Sequence, residues 1–161
     1  MKYRSDIIIA IGLALAAVLP APPAMAQAAH TFVAPPPAGD DANPCTITQP
    51  CRFLQRVLTQ TAAGGEITIL GSADYNNGAT VTIDKAVSIV NPGAFEAGIF
   101  VLSGGTGIVI NAGPNAAVSL RGLTIEGGFL GVNGIVFNSG RSLSSITVWP
   151  VTLCRSRETA S

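Results

Sequence analysis

Short segments in which apolar and polar residues alternate follow one another from Ile67 to Val148. Alternation with a period of two places the apolar side chains on one face of a β-strand. Glycine, asparagine, aspartate, serine and proline separate the segments, and these residues let the backbone turn sharply. The pattern predicts very short strands, with apolar faces formed by Ile67 with Ile69, Val81 with Ile83, Val87 with Ile89, Ile99 to Leu102, Ile108 with Ile110, Val118 with Leu120, Leu123 with Ile125, Ile135 with Phe137, and Ile146 with Val148.

One of these segments is repeated along the chain. Gly107–Gly113 returns almost unchanged as Gly134–Gly140, an offset of 27 residues (134 minus 107). A unit this short cannot enclose a core of its own, so it must bury its apolar face against copies of itself. The repeat therefore predicts a β-solenoid.

Two registers relate the successive turns of such a solenoid. In the register that we favour, Val81 lies under Val118 and Leu143, Val87 lies under Leu123 and Ile146, and Ile108 lies under Ile135. The rival register pairs Val81 with Ile108, also 27 residues away (108 minus 81). The favoured register sets Asp84 beside Arg121 on the outer surface, whereas the rival sets Asp84 beside Asn111.

The segment before the strands predicts a lead-in and a helix. From Gln27 to Asn43 the chain reads as an extended tether, with a polyproline stretch at Pro35-Pro36-Pro37 and a turn at Gly39-Asp40-Asp41. Residues 52–61 place Phe53, Leu54, Val57 and Leu58 on one side at helical spacing, and Gly64-Gly65 is predicted to end that helix. An amphipathic helix here would cover the exposed first turn of the solenoid.

The N-terminus has the pattern of a secretory signal. Lys2 and Arg4 precede an apolar run from Ile7 to Leu19, which is followed by prolines and by Ala24-Met25-Ala26. This run is shorter than the roughly 18 residues that cross a bilayer, and the small residues suit cleavage between Ala26 and Gln27. We therefore predict a signal peptide over residues 1–26 and a secreted or periplasmic product without a transmembrane span.

Cysteine spacing fits an oxidising compartment. Cys45 and Cys51 flank a short loop, which favours a disulfide between them, while a zinc site lacks further cysteine or histidine ligands nearby. Cys154 is left over.

Asn111 and Asn138 occupy equivalent positions after their strands, where we expect left-handed backbone and side-chain amides that hydrogen-bond along the stack.

Composition and charge exclude several classes of function. Without Lys2, Arg4 and Asp6, the chain's 9 basic and 9 acidic residues become 7 and 8, so no nucleic-acid partner is indicated. His30 is the only histidine, it lies in the lead-in, and no glycine-rich nucleotide loop precedes a helix. We predict no cofactor and no metal site.

Several segments resemble exported bacterial right-handed parallel β-helix proteins of the pectate-lyase-like superfamily. The similarity covers residues 31–145 and rests on Thr31-Phe32-Val33, Gly39-Asp40-Asp41-Ala42-Asn43-Pro44-Cys45, Pro50-Cys51-Arg52-Phe53, Gly64-Gly65-Glu66-Ile67 and Val118-Ser119-Leu120-Arg121-Gly122-Leu123-Thr124-Ile125. It implies three parallel sheets and a helix-capped N-terminus. Together with the repeat, it leads us to expect an all-β fold, a right-handed parallel β-helix of about three coils with a short N-terminal capping helix.

The end of the chain departs from this resemblance. Alternation is lost after Val148, and residues 149–161 form an atypical tail that includes Cys154. We therefore expect the C-terminus to be truncated or frameshifted, with an apolar last coil left open to self-association. The predicted organisation is a signal peptide (1–26), an extended lead-in with the Cys45–Cys51 loop (27–51), the helix and β-helix (52–148), and the tail (149–161).

Residues for catalysis are few. Strand alternation points Arg121, Asp84 and Glu126 outward, so that Arg121 as a base could serve a lyase groove with carboxylates from the turns; the other candidates there are Lys85, Asp74, Tyr75 and Glu96. The structural interpretation is stronger: an exposed Asp84–Arg121 ion pair, a solvated Glu126 and a solubilising Lys85. Phe53, Phe100 and Phe137 are expected in the core, and the aromatic candidates for sugar stacking are Tyr75, Phe95, Phe129 and Trp149.

Two functions are compatible with these residues. The first is an exported, non-catalytic β-helix that is structural or binds polysaccharide or the cell envelope, with no assigned catalytic residue. The alternative is an incomplete or degenerate carbohydrate-active enzyme, either a polysaccharide lyase or a glycoside hydrolase. Because folds of this kind carry many functions, only the geometry of a site can separate the two.

Overall fold

The computed structural model describes residues 26–93, 95–127, 132–144 and 153–155. For residues 153–155 it describes the backbone alone. The regular elements in these residues are β1 (Ala28–Val33), α1 (Leu54–Gln60), β2 (Thr61–Ile69), β3 (Ala73–Asp74), β4 (Val81–Ile83), β5 (Val87–Val90), β6 (Ala97–Phe100), β7 (Thr106–Asn111), β8 (Ala117–Arg121), β9 (Leu123–Glu126), β10 (Asn133–Ser139), β11 (Ser142–Ser144) and β12 (Leu153–Arg155). Apart from Ala26, the predicted signal peptide lies outside the described residues.

The strands form three sheets in which every described pairing is parallel. Sheet A has the order β1-β2-β5-β8-β11, sheet B the order β3-β6-β9, and sheet C the order β12-β10-β7-β4. From β2 onward the chain visits sheets A, B and C in that order three times, and it then returns to sheet A with β11. The predicted combination of parallel β-sheets with one short helix is confirmed.

The register of the strands differs from the one that we favoured. Val81 pairs with Ile108, so the rival register is correct for this strand, and Val87 pairs with Val118, which neither register contained. Leu123 pairs with Ala97 rather than with Val87, and Ile146 lies outside the described residues. The predicted pairings of Ile108 with Ile135 and of Val118 with Leu143 are confirmed.

The wrong register has a simple physical origin. Almost every strand carries the same pattern of two β-branched or leucine residues around a polar one, so alternation does not say which strand lies under which. Connection lengths vary at two corners. Between sheets C and A, three residues (84–86) connect β4 to β5 and five (112–116) connect β7 to β8, and between sheets A and B, six residues (91–96) connect β5 to β6 and one (122) connects β8 to β9. The 27-residue repeat is the spacing of sheet C, and it extends back to β4.

A single cluster of buried side chains joins the three sheets. It includes Ile67 of sheet A, Ile99 of sheet B and Ile108 of sheet C, each with 0% of its surface exposed. Burial of a side chain of this size contributes about 1.5–3 kcal/mol to folding. The expected core positions are wrong for Phe100, which is 44% exposed, because alternation with the buried Ile99 and Val101 turns its ring outward. Phe53 and Phe137 are half-buried.

The predicted tether is part of the folded domain. β1 pairs with β2 and buries Thr31 and Val33. On its other side, β1 is covered by the loop of the Cys45–Cys51 disulfide, because Phe32 N–H donates to Cys45 O at 2.9 Å and Cys51 N–H donates to Phe32 O at 3.0 Å. The disulfide prediction is confirmed, and its loop satisfies a sheet edge that would otherwise be open.

The predicted polyproline stretch is wrong. Residues 36–38 form a turn that Gly39 N–H closes by donating to Pro35 O at 2.9 Å. Gly39 packs so tightly against Ala34 O that no side chain fits there. The turn predicted around Asp40 is present, since Asn43 N–H donates to Asp40 O at 3.0 Å.

Helix α1 begins and ends close to the predicted limits. Asp41 Oδ1 accepts hydrogen bonds from the N–H groups of Arg52 (2.8 Å) and Phe53 (3.0 Å), which supplies partners at the start of the helix that no adjacent side chain provides. Leu54, Val57 and Leu58 are buried, as expected. The helix ends at Gln60 rather than at the glycines, because Thr61 adopts an extended conformation and the glycines lie within β2.

The helix packs against the first turn of the fold. It contacts β1, β2 and β4, and Leu54 N–H donates to Tyr75 O at 3.0 Å. Gln55 Oε1 accepts from Thr82 N–H at 2.8 Å, on the edge strand of sheet C. Lys85, expected to be a solvated turn residue, instead donates from Nζ to Thr61 O at 2.9 Å, directly after the helix.

The two stacked asparagines meet as predicted, with a different backbone. Asn138 Nδ2 donates to Asn111 Oδ1 at 2.8 Å. Both residues lie within strands, and among the described residues the non-glycine positions with positive φ are Cys45 and Asn77, so the left-handed prediction is wrong.

In the predicted tail, the backbone of Leu153–Arg155 forms β12 and pairs with β10, although no strand was expected after Val148.

Candidate functional site

The outer face of sheet B carries a groove. The inward positions of its strands β6 and β9 hold Ala97, Ile99, Leu123 and Ile125, all buried in the core. Strand alternation therefore turns Asp74, Gly98, Phe100 and Glu126 to the outside. In register, Asp74 lies beside Gly98, and Phe100 lies beside Glu126.

The groove has a volume of about 520 Å³, and its lining includes Ser72, Asp74, Glu96, Gly98, Phe100 and Glu126. This volume falls within the roughly 300–1,000 Å³ that is usual for small-molecule sites. Gly98 has no side chain, which leaves the floor open between its neighbours on β3 and β9. Phe100 contributes a ring that is 44% exposed, a large apolar surface beside charged groups.

A buried asparagine holds Phe100 in place. Asn76 is 5% exposed and lies two residues after the end of β3. Its Oδ1 accepts from Phe100 N–H at 2.9 Å, and its Nδ2 donates to Phe100 O at 2.8 Å and to Ala79 O at 2.7 Å. Because the amide satisfies both backbone groups of Phe100, the end of β6 and the aromatic wall of the groove depend on it.

The corner between sheets A and B is fixed in a similar way. Asn91 is 7% exposed, and its Nδ2 donates to Phe95 O at 2.6 Å and to Gly122 O at 2.8 Å. At the mouth of the groove, Glu96 N–H donates to Ser72 Oγ at 3.0 Å, and Ala73 N–H donates to Glu96 O at 3.0 Å. The backbone that carries Glu96 is therefore tied to the strand below it.

The charge of the groove is uniform in sign. Asp74, Glu96 and Glu126 all have exposed side chains, and none of the described residues that line the groove is a lysine, arginine or histidine. No cluster of histidine, cysteine or acidic residues that would hold a metal ion occurs in the described part of the chain. The groove thus combines carboxylate acceptors with one aromatic face.

The three residues proposed as a catalytic set lie on three different sheets. Arg121 ends β8 in sheet A, where it pairs with Val90. Asp84 follows β4 in sheet C, and Glu126 ends β9 in sheet B. The predicted Asp84–Arg121 ion pair is therefore wrong, and only Glu126 of the three lines the groove.

Two other predicted residues have different surroundings from those expected. Tyr75 is fully buried, and its hydroxyl donates to Gly71 O, so it is not a sugar-stacking surface. Burial raises the pKa of Tyr75 above its ordinary value of 10.0, against the opposing charge of Arg52. Phe95 is 36% exposed, and Phe129 and Trp149 lie outside the described residues.

His30 belongs to a strand rather than to a tether. Its Nε2 lies 2.8 Å from Thr68 Oγ1 and 3.4 Å from Glu66 Oε1 on the outer face of sheet A. In a catalytic triad, the acid and the nucleophile hydroxyl contact opposite ring nitrogens, whereas here both contact the same one. The cluster therefore has the geometry of an exposed structural contact. This geometry, rather than a position of His30 in a lead-in, is the reason to reject triad chemistry.

Sequence reasoning named the three carboxylates of the groove as candidates, but it missed Ser72, Gly98 and Phe100. Gly98 and Phe100 carried a usable signal, because alternation with Ile99 puts both on the outer face. Asp74 and Glu96 were placed in turns, and nothing in the linear pattern brings them to Glu126 without the register of sheet B.

No family model, no curated protein and no solved structure matches this chain. Among the described helices, none has the length and apolar character needed to cross a membrane. Ala26 and Gln27, at the predicted cleavage site, are exposed, and Gln27 Nε2 donates to Thr59 O at 3.0 Å.

Proposed function

We propose that this chain is an exported, non-catalytic right-handed parallel β-helix whose groove on sheet B binds polysaccharide. The cyclic visits to three parallel sheets around one buried cluster support the β-helix. The signal pattern at residues 1–26 and the disulfide support export. The observation that carries the binding function is the groove of about 520 Å³ with its exposed Phe100 ring.

The chemistry of the groove suits a sugar chain. Exposed carboxylates accept hydrogen bonds from sugar hydroxyls, and an aromatic ring offers apolar area to the C–H face of a pyranose. Because the groove is open to solvent and lies on the outer face of a sheet, it can hold a stretch of a polymer rather than enclose a small molecule.

The lyase form of the enzymatic alternative is less well supported by the arrangement of residues. A lyase of the kind considered above needs a basic residue beside its carboxylates, and Arg121 belongs to sheet A instead. No arginine, lysine or histidine is among the described residues that line the groove. The three carboxylates would suffice for binding without a base.

The test is direct binding of polysaccharides by the chain without residues 1–26. Calorimetric titration with soluble oligosaccharides should show binding that Phe100→Ala weakens about tenfold, since the ring contributes on the order of 1–2 kcal/mol. Phe32→Ala removes a half-buried ring on the outer face of sheet A and serves as the matched control. Equal loss in both variants, or no binding of any glycan by the parent protein, would refute the proposal.

A further inference from the structure

The sign of the charge in the groove determines which polymer fits. Asp74, Glu96 and Glu126 line it, and none of them is in an ion pair within the described part of the chain. A polymer of uronic acids would bring its own carboxylates against these three. We infer that the groove selects a cationic polymer of amino sugars, and this inference rests on the glycan-binding function proposed above.

Like charges at short distance disfavour binding, and an ammonium group beside an exposed carboxylate favours it. Exposed pairs of this kind change affinity by about two- to fivefold each. With three carboxylates along one groove, the combined preference for an amine over a neutral group at the same position is about tenfold or more. Selection therefore comes from several weak contacts rather than from one strong pair.

Phe100 strengthens this preference and argues for a sugar. Its exposed ring lies in register with Glu126, so an amino sugar stacked on the ring would place its ammonium near both the π face and a carboxylate. The open floor at Gly98 gives room beside the ring for a second sugar unit. The apolar and the charged parts of the groove thus match the two parts of an amino-sugar unit.

The topology of sheet B disfavours a cationic peptide at the same place. An extended peptide usually binds to a sheet by adding a strand at an open edge, where its backbone finds partners. The floor of the groove is β6, which pairs with β3 on one side and with β9 on the other. Its backbone groups are occupied along these pairings, so a peptide lying over β6 would have to bind through side chains alone.

The experiment compares ligands that differ only in charge. The chain without residues 1–26 is titrated calorimetrically with glucosamine oligomers, with N-acetylglucosamine oligomers of equal length, with oligogalacturonate and with oligolysine, at a pH mildly below neutrality where the sugar amines are protonated. Glucosamine oligomers should bind at least about tenfold more tightly than their acetylated counterparts, and oligogalacturonate should bind weakest.

Variants then locate the effect. Asp74→Asn, Glu96→Gln and Glu126→Gln together should abolish the preference for the free amine while the thermal stability stays close to that of the parent. Asp84→Asn removes an exposed carboxylate beside sheet C, outside the groove, and should leave the preference intact. The loss should be roughly two- to fivefold for each single replacement in the groove.

Each other outcome overturns a defined part of the reasoning. If acetylated oligomers or oligogalacturonate bind as tightly as glucosamine oligomers, the amino-sugar inference is wrong while glycan binding stands. If no glycan binds, both proposals fail. If oligolysine binds as tightly as glucosamine oligomers and Phe100→Ala changes neither, the groove is a general cation-binding surface and the sugar assignment is wrong.

Discussion

Asn76 connects the corner after β3 to the end of β6, and replacing it with aspartate tests whether a buried amide holds the groove together. The replacement keeps the size of the side chain and one accepting oxygen toward Phe100 N–H. It substitutes an oxygen for Nδ2, which donates to Ala79 O at 2.7 Å and to Phe100 O at 2.8 Å. Two donated hydrogen bonds would become two contacts between oxygens.

The expected cost follows from these bonds. Each contributes about 0.5–1.5 kcal/mol net, and leaving a buried acceptor without a donor costs about 1–3 kcal/mol. With Asn76 only 5% exposed, water replaces the lost donors poorly. We expect a loss of about 2–4 kcal/mol in the free energy of unfolding, and weaker glycan binding because Phe100 loses its backbone support.

The assay is equilibrium unfolding in urea, followed by circular dichroism. The midpoint should fall at an unchanged m-value, since the folded state buries the same surface. The matched control is Asn111→Asp, which makes the same chemical change at an exposed position whose Oδ1 accepts a single hydrogen bond from Asn138. This control should cost less than about 0.5 kcal/mol.

At acid pH, the free energies of unfolding of Asn76→Asp and Asn111→Asp should differ less. A carboxyl introduced at position 76 is held among carbonyl oxygens, so its pKa in the folded state should lie above the value of about 3.9 for an unfolded aspartate. The destabilisation is then largest above the folded pKa and fades as the pH falls toward the unfolded value, where the protonated carboxyl can donate again. Equal costs at positions 76 and 111, at any pH, would refute the argument.

Ile108→Ala in the core should cost about 3–4 kcal/mol in denaturant unfolding, whereas Val109→Ala, on the outer face of the same strand, should cost less than about 1; similar values would contradict the inward register of β7. Reduction of the Cys45–Cys51 disulfide, which closes a separation of 6 residues, should remove about 2 kcal/mol, and an unchanged melting temperature in reductant would contradict this. Burial raises the pKa of Tyr75 in the folded state, so its contribution to the free energy of unfolding is complete below the ordinary value of 10.0 and is lost as the pH rises through the folded pKa. Tyr75→Phe should therefore flatten the alkaline decline of the free energy of unfolding, measured in a series of unfolding curves at rising pH.

The alternating pattern located the strands well. The inward residues of β2, β4, β5, β7, β8 and β9 are those that the alternation indicated, because a period of two puts every second side chain on the same face whatever the partner strand is. The repeat at Gly107 and Gly134 likewise placed Ile108 beside Ile135. These features depend only on residues that are neighbours in the sequence, so they can be predicted from the sequence.

The contacts between distant segments were harder to predict. His30 and the residues around it read as a tether, yet β1 joins sheet A because the backbone edge of β2 and the disulfide loop both offer it partners. Nothing in the linear pattern singles out Asn76, yet its amide reaches Phe100 across 24 positions of the chain. Such partners are chosen by proximity in space, which composition and periodicity do not encode.

The residues alone specify which positions alternate, where the chain turns, and that short apolar strands must shield one another. The register, and with it the site, depends on how the strands pair in three dimensions, since a shift of the pairing from Val118 to Ile108 moves the partner of Val81 from sheet A to sheet C. Alternation cannot fix this pairing, because hydrophobic burial is nearly the same for any stack of similar strands. The register is therefore set by corner lengths and by buried asparagines such as Asn76 and Asn91, and these bring Asp74, Glu96 and Glu126 to one groove.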